Sequence, residues 1–77
     1  MTEKEKEKLG KALKTLNDAA SIIETAYDNE QDCMDNYPEN MQGTERYERI
    51  EEAVDVLYDA SEQIDDLKTR VQSVMEI

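Results

Sequence analysis

The chain has 77 residues, with 20 Asp and Glu against 9 Lys and Arg and no His, for a formal net charge of -11. That length allows one domain at most, and the excess of carboxylates speaks against nucleic acid or an anionic membrane as partner, since both are polyanions. No apolar run approaches the roughly 18 residues that a membrane span needs.

The N-terminus, Met1-Thr2-Glu3-Lys4-Glu5-Lys6, is charged and lacks the apolar core of a secretory signal. Thr2 with Glu5 three residues on forms a capping-box pattern, so a helix can begin there. From Leu9 an apolar seam follows a 3-4 spacing through Leu13, Leu16, Ala20, Ile23 and Tyr27, is interrupted by Glu30, and resumes at Met34. Such spacing places the side chains on one stripe of an α-helix. Ala12, Ala19, Ala26 and Cys33 form a row of small residues at intervals of seven beside it, where Cys33 is expected to pack as a small hydrophobe. Glu30 is expected to be exposed near a fraying helix end. A lone cysteine cannot close an internal disulfide, and a reducing, cytoplasmic compartment is the expectation.

Asp35 to Thr44 reads as a turn: Pro38 pushes Tyr37 out of helical geometry, Gly43 permits a positive φ, and Thr44 suits the N-cap of a second helix. Tyr37 and Met41 are apolar residues in this polar loop. They read either as a plug closing the end of a helix pair or as an exposed anchor for a partner.

The stretch Asp35-Asn36-Tyr37-Pro38-Glu39-Asn40-Met41-Gln42-Gly43-Thr44-Glu45-Arg46-Tyr47, followed by Glu51-Glu52-Ala53-Val54-Asp55, resembles a group of small acidic helical proteins. These are encoded by phages and integrated elements of Gram-positive gut bacteria. The resemblance implies only a helical hairpin and a mobile-element origin, and it carries no activity with it; the cytoplasm expected above is then that of a bacterial host.

The second helix repeats the 3-4 spacing from Ile50 through Ala53, Leu57, Ala60, Ile64, Leu67 and Val71 to Val74, with Tyr47, Val54, Val56 and Met75 on its flanks. The architecture expected is all-α: an antiparallel hairpin with helix 2–35, turn 36–43 and helix 44–75. Each helix is apolar over more than a two-position stripe, and one helix cannot cover the other's whole apolar face. Pairing of two hairpins into a dimeric four-helix bundle is therefore expected, with Leu13, Leu16, Ile23, Ile50, Leu57, Ile64, Leu67 and Val71 as the core and oligomer seam.

Charge is divided unevenly. Five acids and five lysines cancel over residues 1–27, and fifteen acids against four bases leave all of the -11 on residues 28–77. On the second helix Glu48, Glu52, Asp55, Asp59, Glu62 and Asp66 follow a 4-3-4-3-4 rhythm, with Tyr58 among them. At 1.5 Å per residue, successive members rise about 5 Å, comparable with the spacing of phosphates along a nucleic-acid strand.

Catalysis and cofactors find no parts here. There is no His, a single Cys and no Gly-rich phosphate loop. The Asp28-to-Cys33 stretch lacks the Gly of a calcium loop, and a di-metal bundle would need inward Glu-x-x-His pairs. Neither cofactor nor metal is expected, and the function expected is protein binding. The acidic face reads as a decoy that occupies the basic groove of a nucleic-acid-handling protein, as anti-restriction and anti-CRISPR inhibitors do, with no direct nucleic-acid or membrane contact. The alternative is a structural or adaptor bundle that works through its apolar seam and loop.

Overall fold

The computed structural model describes residues 1–77 as two long helices, α1 over Glu3–Asp35 and α2 over Glu45–Met75, joined by a loop that holds one 3-10 turn over Glu39–Met41. The helices pack on one another as an antiparallel hairpin, a rod of 59 × 15 × 14 Å.

Both helices begin as their sequences dictate. The Thr2 hydroxyl accepts from the Glu5 N–H at 3.1 Å, and the Thr44 hydroxyl accepts from the Tyr47 N–H at 3.4 Å. Each satisfies one of the orphan N–H groups of a first turn. Glu3 and Glu5 in the first turn of α1, and Glu45 and Glu48 in that of α2, face the positive end of the helix dipole. Thr44 also donates its hydroxyl proton to the Met41 carbonyl at 2.8 Å, which ties the 3-10 turn to the start of α2. α1 ends on Asn36, whose backbone N–H and side-chain amide both donate to the Asp32 carbonyl, at 3.0 and 2.8 Å. The chain turns without any positive φ, so Gly43 does not use the freedom that its sequence position suggested. The 3-10 turn reverses the chain within right-handed backbone geometry instead.

The seam of α1 is the one its spacing predicts: Leu9, Leu13, Leu16, Ile23, Tyr27 and Met34 are half-buried and Ala20 is buried. Glu30 stays in this row and is half-buried rather than frayed into solvent, since α1 continues unbroken to Asp35. The seam of α2 differs from the expectation. Ile50, Leu57, Ile64 and Val71 face α1, but their companion row is Val54, Ser61, Lys68 and Met75, all buried or half-buried. In the expected row, Ala53 and Ala60 are half-buried at the edge of the contact, while Leu67 is 46% and Val74 is 40% exposed. Leu67, expected in the core and oligomer seam, is thus outside the core of the single hairpin.

The two rows lie about 60° to one side and 40° to the other of the shared one at 100° per residue, so the choice between them is a rotation of about 50° about the helix axis. The adopted rotation brings Tyr58 against Tyr27, with ring centroids 6.0 Å apart, and Tyr47 against Tyr37, at 5.3 Å. Such pairs each contribute about 0.5–1.5 kcal/mol beyond area burial. Lys68 tolerates its place by laying its stem along the seam and carrying its ammonium out to the Asp65 carboxylate, 3.1 Å away.

Only Ala20 and Val54 are buried, at 4% and 7% exposure. Cys33, expected to pack, is exposed because the small-residue row lies to one side of the seam and nothing in the hairpin covers it.

Gly10 sits inside α1, where a Cβ would meet the Met75 methyl at 3.9 Å, ordinary van der Waals contact. Gly10→Ala is expected to stabilise the fold by about 1 kcal/mol and to raise the midpoint of thermal unfolding, followed by circular dichroism, by roughly 4–8 °C. A lowered midpoint would mean that Met75 approaches α1 more closely than this packing has it.

Candidate functional site

The face of α2 opposite the seam is made of two adjacent rows at intervals of seven. Glu48, Asp55 and Glu62 form one, and Glu52, Asp59 and Asp66 the other; all six are exposed. The unbroken helix Glu45–Met75 holds them on one straight line, with about 27 Å between the first and last Cα atoms at 1.5 Å per residue. Of the six, only Asp66 is ion-paired, to Arg70 at 3.0 Å. The Arg49–Glu45 pair at 2.7 Å lies just before the face begins. Both pairs are exposed i,i+4 contacts, worth only about 0.3–0.5 kcal/mol each, so five carboxylates present their charge to solvent without compensation.

Tyr58 is 52% exposed, but it does not stand among these acids. It projects to the side of the hairpin, where its ring leans on Tyr27 and joins Glu24, Asp28 and Ser61 around a shallow recess. A hydrogen bond to the Glu62 carboxylate and then the charge of that group raise its pKa above the ordinary tyrosine value, with smaller contributions from partial desolvation, Tyr27 and Asp59.

The loop residues Tyr37 and Met41 part company. Tyr37 is half-buried against Tyr47, closing the end of the helix pair, whereas Met41 is 43% exposed on the 3-10 turn. Sequence spacing had no means to divide them, because the aromatic partner of Tyr37 comes from the other helix.

No group of three or more Cys, Asp and Glu side chains converges as metal ligands would. Carboxylates at i,i+3 and i,i+4 on a convex face diverge from one another, whereas a cation needs them to converge on one point. No helix is long and apolar enough to cross a membrane. No protein-family model, curated protein or solved structure matches the chain.

Proposed function

We propose that this protein acts by binding, and that the outward face of α2 is its docking surface for a protein with a basic groove, as in a nuclease or another protein that handles DNA or RNA. The observation that carries the reading is the line of six exposed carboxylates, Glu48, Glu52, Asp55, Asp59, Glu62 and Asp66, on one uninterrupted helix, five of them without an ion-pair partner. A rigid row of negative charge at about 5 Å pitch offers a basic groove what a nucleic-acid strand would offer it. Occupancy is then the mechanism: the protein blocks the groove and performs no chemistry. The loop's resemblance to mobile-element proteins fits an inhibitor of a host defence enzyme, of the anti-restriction or anti-CRISPR kind. In the same reading the hairpin pairs with a second copy into a four-helix bundle.

Each exposed ion pair contributes about 0–1 kcal/mol, so affinity comes from several together, with an apolar anchor beside them. Tyr58 at the edge of the face and Met41 on the turn are the apolar groups available for that part. The test is capture of a partner from a bacterial lysate at low and at high salt, with wild type and with a variant in which Glu52, Asp55, Asp59 and Glu62 become Gln or Asn. Removing four pairs is expected to weaken binding by up to about 4 kcal/mol, roughly a thousandfold, and to flatten the salt dependence. Equal capture by the variant would remove the electrostatic reading and leave the structural or adaptor role, exerted through the apolar surface.

A further inference from the structure

The packing of Tyr58 with Tyr27, Glu24, Asp28 and Ser61 defines one side of the hairpin. The opposite side is flanked by the row Ala12, Ala19, Ala26 and Cys33 on α1 and by the row Ala53, Ala60, Leu67 and Val74 on α2. Next outward on the same side, at intervals of seven, stand Lys8, Thr15, Ile22 and Asn29 on α1, and Arg49, Val56, Gln63 and Arg70 on α2. Between residues 8 and 33 of α1 and residues 46 and 74 of α2, not one carboxylate falls on these four rows, in a chain that carries 20. The two inner rows are apolar along their length, and the outer rows set Ile22 and Val56 among the uncharged Thr15, Asn29 and Gln63 and the basic Lys8, Arg49 and Arg70. The side also carries four of the chain's eight large exposed hydrophobic residues, with Ile22 71%, Val56 58%, Leu67 46% and Val74 40% exposed, and of the other four Met1 and Ile77 are the chain's end residues.

Three physical points say what covers it. A chain of net charge -11 meets a copy of itself without facing carboxylates only through a surface from which they are missing. A compact monomer of 8.9 kDa exposes about 4,800 Å², whereas this hairpin exposes 5917 Å². The excess of about 1,100 Å² is of the size that one protomer buries in a standard interface, about 800 Å². Finally, the side combines small residues, which form a groove, with Ile22, Val56 and Leu67, which can fill one, so it is self-complementary in the way a two-fold interface requires.

We propose that this acid-free side is the interface on which a second copy of the chain packs about a two-fold axis, with Ile22, Val56, Leu67 and Val74 at its centre and Arg49 and Arg70 meeting carboxylates of the other copy at its rim. The proposal rests on the dimeric reading above and names its surface. Pairing through this side leaves the outward carboxylates of α2 on the exterior of both copies.

The test begins with the mass of the wild-type protein by sedimentation equilibrium at tens of micromolar, expected at twice 8.9 kDa. The variant Ile22→Gln, Val56→Gln, Leu67→Gln is expected to sediment as a monomer with unchanged helix content. A monomeric wild type would overturn the dimer and this interface together. A dimeric wild type with an equally dimeric variant would keep the dimer and overturn the interface. Should the variant unfold, a soluble paramagnetic probe on the wild type decides. Methyl signals of Ile22, Val56 and Leu67 shielded from the probe support the interface, and methyls as accessible as that of the exposed Ile77 overturn it.

Discussion

Val54→Asp is expected to unfold the hairpin. Val54 is one of only two buried residues, 7% exposed, in the first third of α2 and facing α1. The register set by Tyr27 against Tyr58 and Tyr37 against Tyr47 places it abreast of Glu30, which is itself half-buried. A carboxylate there would lose its hydration, lie about 21 Å along α2 from Lys68, the cation of its row, and stand beside a like charge. An unpaired buried charge costs about 3–5 kcal/mol. The whole stability of a 77-residue domain is about 4–12 kcal/mol at 0.05–0.15 kcal/mol per residue; a hairpin with two buried residues lies at the low end, where such a cost removes most of it. Circular dichroism at neutral pH is expected to report loss of most of the helix signal at room temperature. Asp55→Asn, one residue on and exposed, is expected to leave the melt unchanged or slightly improved. A well-folded Val54→Asp protein would mean that the row led by Ala53 is the packed one.

The converse change gains stability. Glu30 and Lys68 are charged members of the packed seam, abreast of Val54 and Leu16 respectively in the same register. Glu30 has no ion-pair partner, and Lys68 keeps only the exposed Asp65 contact at 3.1 Å. Full burial of a leucine contributes about 1.5–3 kcal/mol, and half-buried positions realise about half of that. Glu30→Leu with Lys68→Leu is therefore expected to stabilise by about 2 kcal/mol and to raise the thermal midpoint by roughly 8–16 °C. The same pair of changes at positions off the seam would expose two leucines and leave the midpoint nearly where it was. A fall in the midpoint would contradict the α2 seam assigned here.

These two experiments bear on the one element where spacing and structure disagree. Along α1 the 3-4 spacing from Leu9 to Met34 names the buried face correctly, because the seam is flanked by the small Ala12, Ala19, Ala26 and Cys33 on one side and by Gly10, Asn17, Glu24 and Gln31 on the other, and neither row offers a competing large apolar stripe. Along α2 two rows flank Ile50, Leu57, Ile64 and Val71, and the wholly apolar one, with Leu67 and Val74, reads as the better seam. The hairpin uses the other, with Ser61 and Lys68 in it. What tips the balance is aromatic contact across the two helices, through Tyr27 and Tyr58 at one level and Tyr37 and Tyr47 at another. A pattern confined to one helix does not contain that information.

The outward carboxylates are a matter of sequence alone. Their spacing on a helix determines that Glu48, Glu52, Asp55, Asp59, Glu62 and Asp66 share a face, and hydration keeps charged groups on the outside. The helix starts at Thr2 and Thr44 are equally local, since a cap is made within four residues. Which apolar residues remain uncovered was decided only when two helices met. Each helix carries more apolar rows than one neighbour can cover, and the rotation of α2 leaves Val56, Leu67 and Val74 facing outward on the side without acids, beside Ile22 of α1.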